Sequence, residues 1–323
     1  MVGIIVSLLV SAGVCLAAIR VGPALGYVDR PDDPTLKVHV QPAVPLGGVG
    51  IFAAVHIGLA VAGFFDGWLF AASAVLLGLG LADDRSGLAP GVRLAVEIVA
   101  GFLLAVGVAP SLGRMSATFV GLLLVVAVNA VNLFDGLDGL VGSSALVTAL
   151  ALTLLGAIRG VEYLPGLILA GALVGFLLVN WHPARVFLGD NGAYSLAAYL
   201  IAGIAGISIS DSPLPDLVVG VGLLGVFLVD LASTVLRRYL AKQPLFVGDR
   251  NHLYDRLHAR GRSVPSVAVI TALAQALFAG VAIGLAATLP SGWAALLVAT
   301  IGVLAILGLA IGPWLPPTLE PPV

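Results

Sequence analysis

The sequence predicts an all-α polytopic membrane protein with about eleven transmembrane helices, and three observations carry that prediction. Hydrophobic residues make up 60% of the chain and charged residues only 10%. The mean hydropathy of +1.12 is too high for a water-soluble globule. Apolar runs close to the ~17–25 residues needed to cross ~30 Å of hydrocarbon recur along the chain with short polar breaks between them. The runs are continuously apolar rather than alternating, which points to helices and not to barrel strands.

In chain order the expected spans lie near 2–19, 47–65, 67–82, 92–109, 116–134, 141–158, 163–180, 191–210, 215–236, 264–289 and 292–311. The first has no basic residue before it and its first cation, Arg20, comes after it, so it reads as a retained helix rather than a cleaved signal. It carries Cys15, the only cysteine, which excludes an intramolecular disulfide and a thiolate metal cluster. The 41 glycines and 19 prolines are spread along the spans, as expected where small residues let helices approach closely. The longest polar segments are 28–46 and 237–263, and no repeat or soluble domain is evident, so residues 1–323 read as one integral membrane domain.

The breaks between spans give the orientation. Arg20, Arg30, Lys37, Arg85, Arg93, Arg185, Arg237, Arg238, Lys242, Arg250, Arg256, Arg260 and Arg262 all flank odd-numbered breaks. Only Arg114 and Arg159 flank even ones. By the positive-inside rule the odd breaks are cytoplasmic, the N-terminus is outside and the C-terminus inside.

Four cytoplasmic breaks carry the residues with chemical potential. Asp83 and Asp84 are adjacent acids at a membrane boundary, a costly placement that suits a cation or proton to be handled or a helix stop paired with Arg85 or Arg93. The block Asn129-x-x-Asn132-x-x-Asp135-Gly136-Leu137-Asp138-Gly139 has polar residues every three positions, which drift by about 60° per step on a helix. Its glycines predict instead a turn in which Asp135 and Asp138 face one polar cavity. In the segment Asn180 to Gly192, Asp190 sits at a helix start, either as a cap or as a hard oxygen ligand for Mg²⁺, and His182 reads as polar filling. The loop Arg237 to Arg262 mixes guanidinium, imidazole and amide donors around Arg250 and His252, a mixture that suits a phosphate or diphosphate as well as anionic headgroups. Asp230 reads as a structural ion pair near Arg237, Glu97 as a helix-face pair with Arg93, and His56 as packing.

Together with Lys37-Val38-His39 and Pro45-Leu46-Gly47-Gly48, these motifs resemble, in order and over most of the chain, the polyprenyl-phosphate N-acetylhexosamine-1-phosphate transferase family, and within it the undecaprenyl-phosphate N-acetylglucosamine-1-phosphate branch. The resemblance implies a multi-pass plasma-membrane enzyme with its site on the cytoplasmic face, a UDP-sugar donor, a polyprenyl phosphate acceptor and no nucleic acid partner. It implies Mg²⁺, with Mn²⁺ as the alternative ion, and a homodimer as a possible assembly. Asp83, Asp84, Asp135, Asp138 and His252 would be catalytic, with Asp190 and Asp84 on the metal. Lys37, His39, Asn129, Asn132, Gly136, Leu137, Asn180, Phe187 and Arg250 would bind substrate. Tyr254 and Asp255 stand where this branch usually has further histidines, which bears on the identity of the sugar, and Asn191 replaces the commoner threonine or valine. The same chemistry with another UDP-amino sugar or a muramyl-pentapeptide donor is the alternative within the family. CDP-alcohol phosphatidyltransferases need an arginine and two aspartates that residues 141–150 lack. An ion-coupled transporter would place its acids near mid-membrane and show repeated halves.

Overall fold

A computed structural model describes residues 1–30, 41–161, 163–208, 211, 213–244 and 250–311. Among them the protein is all helical, with only isolated bridges joining Asp29 to Ala43 and Val44 to Val186. The helices are α1 (Val2–Val21), α2 (Gly47–Val61), α3 (Gly67–Ser86), α4 (Pro90–Phe134), α5 (Leu140–Arg159), α6 (Leu164–Asn180) and α7 (Gly189–Gly206). They continue with α8 (Pro213–Val221), α9 (Gly225–Leu240), α10 (Leu253–Ala259), α11 (Val264–Thr288) and α12 (Ser291–Ile311). Seven stretches are long and apolar enough to cross a membrane, while Gly47–Val61 and Leu164–Asn180 are shorter apolar helices.

Two expected spans are joined in α4. At 45 residues it would be roughly 68 Å long if straight, more than twice the hydrocarbon thickness. It breaks instead at Gly113, whose φ of 74° and ψ of 164° are essentially open only to glycine, three residues after Pro110. The two arms fold against each other where a Cβ on Gly101 would come within 2.5 Å of the Gly121 carbonyl. Nearer the other ends of the arms, Asn129 Nδ2 donates to Glu97 at 2.7 Å.

Helix α7 is the axis of the bundle, packed by α2, α3 and α4. Ala193, Leu196, Ala197, Ala198, Leu200, Ile201 and Ile204 along it are fully buried. Its neighbours reach it through small residues: a Cβ on Gly48 or on Gly80 would lie 2.2 Å from backbone nitrogen at Gly192 or Asn191. Helix α1 joins α2 and α6 by similar means, with Ser7 donating to the Ile168 carbonyl at 2.9 Å and Cys15 buried beside Gly50. His56 packs among the rings of Phe52, Phe70 and Tyr199, with Nε2 2.9 Å from Ser73 Oγ.

The expected continuous span 215–236 is interrupted by a 3₁₀ turn at Gly222–Leu224. Backbone groups freed at such a break must find partners when no water is near. Gln275 of α11 supplies them: its Oε1 accepts from Val226 N–H at 3.0 Å and its Nε2 donates to the Leu223 carbonyl and to Thr148 Oγ1. Replacing Gln275 by Leu strips the Val226 N–H of its side-chain acceptor and leaves the Leu223 carbonyl only its bond from Thr148, and should lower unfolding stability in detergent by about 1–3 kcal/mol, measured by thermal unfolding. The function of the remaining folded fraction should be unchanged.

Candidate active site

A cavity of about 400 Å³ opens at the end of the bundle where α3 and α4 finish and α5 and α7 begin. Its wall carries Asp29, Asp84, Asp135, Asp138 and Asp190, together with Asn132, Gly136, Leu137, Asn180, His182 and Phe187. Among the described residues lining it there is no lysine or arginine.

The floor is the N-terminus of α7. Its first N–H groups have no partner within the helix, and α7 is buried, so they need an acceptor from elsewhere. Asp84, at the end of α3, supplies both oxygens: Oδ1 accepts from Asp190 N–H at 2.9 Å and Oδ2 from Asn191 N–H at 3.2 Å. Asn191, fully buried, then donates its Nδ2 to Asp84 Oδ2 at 2.6 Å and to the Pro45 carbonyl at 2.7 Å. Asp84 is thus the cap, which leaves the Asp190 side chain to turn into the cavity and meet Asn132 Nδ2 at 2.5 Å.

The wall opposite is the turn after α4. Phe134 ends the helix, Asp135 leaves helical geometry at ψ 63°, and Gly139 takes a φ of 72° before α5 begins. This is the opening that the glycine spacing predicts. Asn180 holds the turn in place: its Oδ1 accepts from Gly139 N–H at 3.0 Å and its Nδ2 donates to the Val186 carbonyl at 2.9 Å. Asp138 Oδ2 accepts from Ala184 N–H at 3.0 Å and lies 2.7 Å from His182 Nδ1, so His182 has a defined partner. Burial, with the carboxylates of Asp190, Asp84 and Asp138 adding to it, pushes Asp135 up to about 8. Asp29, Asp84, Asp138 and Asp190 share that wall, and no lysine or arginine among the described lining residues faces them.

Other expected residues stand elsewhere. Asp83 is buried outside the cavity wall, accepting from Leu88 N–H at 2.6 Å, Tyr194 Oη at 2.7 Å and Arg93 at 3.2 Å. The expected helix-face pair of Glu97 and Arg93 gives way to two cross-helix contacts, Arg93 with Asp83 and Glu97 with Asn129. Asn129 also donates to the Val125 carbonyl and does not reach the cavity, because it lies nearly a full turn before Asn132 on an intact helix. Lys37 and His39 lie outside the described residues, as does Asp249.

His252 and Arg250 are not part of the described cavity wall either. His252 caps α10, with its backbone N–H donating to Asp255 Oδ2 at 3.3 Å, while Arg250 lies 3.4 Å from Asp255 Oδ1. Tyr254 donates to the Leu133 carbonyl at 3.2 Å and fills the space beside Gly136, where a Cβ would meet its ring at 2.3 Å. Tyr254 and Asp255 thus have local structural roles of their own. Sequence reasoning passed over two residues: Asn191, whose burial no local pattern reveals, and Asp29, an unremarkable loop acid brought to the wall by its bridge to Ala43.

A model of the family described as "Glycosyl transferase family 4" matches residues 67–209, which include Asp83, Asp84, the 129–140 block and Asp190. The chain is 30% identical to the "Probable undecaprenyl-phosphate N-acetylglucosaminyl 1-phosphate transferase" of Bacillus subtilis, over 81% of this chain and 78% of that protein. It is 33% identical to the "Decaprenyl-phosphate N-acetylglucosaminephosphotransferase" of Mycobacterium tuberculosis, over 76% of this chain and 72% of that one. The "Phospho-N-acetylmuramoyl-pentapeptide-transferase" of Thermosynechococcus vestitus is 38% identical, but over only 38% of this chain and 31% of its own length.

The close seating of α3 on α7 gives a paired test. A Cβ on Gly80 would press on Asn191 and Asp190, whereas one on Gly78 meets nothing within 4 Å. Gly78→Ala should be neutral or more stable by up to about 1 kcal/mol from helix propensity alone. Gly80→Ala should lower thermal stability by about 1–3 kcal/mol by driving α3 from α7.

Proposed function

This chain belongs to glycosyl transferase family 4, and we propose that it transfers N-acetylglucosamine 1-phosphate from UDP-N-acetylglucosamine to a polyprenyl phosphate, releasing UMP. The observation that carries the reading is the cavity itself: five aspartates, two of them bonded through the N-terminus of a buried helix, with no cation among the described residues facing them. The relatives named for N-acetylglucosamine match over most of the chain and the muramoyl-pentapeptide relative over a minor part, which favours the former donor.

The donor set suits Mg²⁺. Among the described residues no three His, Cys, Asp or Glu side chains form a ready-made metal cluster. Mg²⁺ does not require one, since it keeps several waters and is held by one or two carboxylates plus substrate phosphates. Asp190 and Asp84 would hold it, Asp84 through the Oδ1 lone pair that its three hydrogen bonds leave open. An ion held by these carboxylates would offset the charge of the diphosphate and so ease the approach of a second anion.

The chain's own residues do the rest. The acceptor phosphate monoester, with a second pKa of ~6, is already mostly dianionic near neutral pH and needs no strong base. It attacks the β-phosphorus directly, and UMP leaves with the bond's electron pair. Asp83 supports this one-step route because its oxygens already accept three hydrogen bonds and it stands outside the cavity wall, which makes it a poor nucleophile. Its work is to set the end of α3, and with it Asp84. Asp135, Asp138, Asn132 and the Gly136-Leu137 turn present the wall against which the donor lies.

The orientation follows from the cations. The cavity lies at the helix ends that flank the arginine-rich breaks, so we place it on the cytoplasmic face of the plasma membrane. Counting the two arms of α4 separately, α8 with α9 as one and leaving out the short α10 gives eleven crossings among the described residues, which by the same rule puts the N-terminus outside and the C-terminus inside.

Purified protein in detergent with undecaprenyl phosphate, Mg²⁺ and UDP-N-acetylglucosamine should release UMP, read by chromatography. EDTA should abolish turnover and Mg²⁺ restore it. Asp190→Asn should lower kcat by at least about 10²-fold with the fold intact. Release that needs no lipid phosphate, or no turnover with any UDP-sugar from folded protein, would overturn the assignment. Asn191→Ala, which removes a hydrogen bond from Asp84, should raise the Mg²⁺ concentration for half-maximal activity about 10- to 100-fold.

A further inference from the structure

The basic loop after α9 reaches the site through a buried contact that none of the cavity residues makes. Asp230, 1% exposed, lies in α9 with Oδ2 2.7 Å from His252 Nδ1, while its Oδ1 accepts from Leu253 N–H at 2.8 Å. Both carboxylate oxygens are therefore directed at the start of α10. His252, itself 4% exposed, also has Thr234 Oγ1 at 3.4 Å from Nδ1 and stacks on Tyr254, with ring centroids 5.4 Å apart and planes 6° apart. Tyr254 in turn rests on Gly136 and donates to the Leu133 carbonyl, in the turn that carries Asp135 and Asp138.

Each link has a physical consequence. A carboxylate opposite Nδ1 requires a proton there, so it selects one tautomer of the ring and fixes its plane. The plane of His252 sets the plane of Tyr254, because the two rings are parallel and in contact. Tyr254 has no room to shift toward Gly136, where a single methyl group would already collide. We infer that Asp230 is a positioning residue for the transfer: acting through His252 and Tyr254, it seats the segment Arg250–Arg256 against the turn bearing Asp135 and Asp138, and so sets the donor side of the site. This rests on the transferase reading above. It also changes the meaning of Asp230, which in sequence looked like an ion pair along its own helix.

The test uses the full-length protein in detergent and two readouts, one of them independent of turnover. Asp230→Asn keeps size and shape but offers only one acceptor for two donors, His252 Nδ1–H and Leu253 N–H, and turns an amide donor on the other. The ¹⁵N spectrum of the five histidines, with His252→Gln used to assign the signal, should show the protonated Nδ1 of His252 lost or redistributed in the variant. The kcat/KM for the UDP-sugar should fall by about 10- to 100-fold. The KM for polyprenyl phosphate should stay within about threefold and the melting temperature within about 3 °C of wild type. Asp230→Glu should recover part of both the signal and the donor kcat/KM.

Wild-type donor kinetics in Asp230→Asn would overturn the inference. So would a loss of activity with the His252 signal unchanged, or one that tracks a collapse in melting temperature in both Asp230 variants, since Asp230 would then support only the fold. Absence of turnover in the wild type with every UDP-sugar would strike the transferase reading instead, and the spectrum alone would then decide whether Asp230 governs the ring.

Discussion

The capping of α7 by Asp84 is the contact on which the rest of the site depends. The first turn of α7 is pressed by Gly48 of α2 and Gly80 of α3, and an unsatisfied N–H group held against protein there costs about 1–3 kcal/mol. A carboxylate from α3 answers that need and is favoured further by the positive end of the helix dipole. The same contact brings Asp84 beside Asp190, two negative groups that would otherwise be kept apart by repulsion. Structural necessity and chemical opportunity coincide in one interaction, and Asn191 tightens it from below.

That arrangement is possible only because backbones come unusually close. Gly48 and Gly80 leave no space for a side chain against the start of α7, and Gly101 and Gly121 do the same between the arms of α4. Within lipid, where burying apolar surface gives little advantage, such close packing and interhelical hydrogen bonds are what hold helices together. Ser7, Thr148 and Gln275 supply the polar part of that cohesion away from the site. Thr148 and Gln275 keep the irregular backbone at Gly222–Leu224 satisfied inside protein.

Much of this was legible in the sequence, for reasons that can be named. The apolar runs marked the helices because length and hydropathy suffice for that. The Asn-x-x-Asn-x-x-Asp-Gly spacing announced a turn, and Asn132, Asp135, Gly136, Leu137 and Asp138 do share a cavity with Asp84, Asn180, Phe187 and Asp190. What escaped was set by contacts distant in sequence. Adjacent Asp83 and Asp84 look alike in one dimension, yet a helix turns successive residues by about 100°, which sends one to Arg93 and Tyr194 and the other to the cavity. Asn129 and Asn132 divide instead along the helix axis, nearly a turn apart, so that one meets Glu97 and the other Asp190. The break before Gly225 was invisible because Gln275, which stabilises it, lies 49 residues from Val226. The partner of Asp230 lies 22 residues on, across a loop, where helical periodicity has nothing to say.

The two-armed shape of α4 has a mechanical consequence. One arm begins beside Asp83 through Arg93, the other ends at Asp135, and they are stapled near those ends by Glu97 and Asn129 and midway by two glycines. The corner at Gly113 sits at the far end, where a Cβ would meet nothing within 4 Å. When bilayer thickness changes, a helix adapts by tilting or bending wherever it is softest. Here the glycine corner stands at the opposite end of the hairpin from Asp135, about 22 residues or roughly 33 Å of helix away, so bending there moves the acids least.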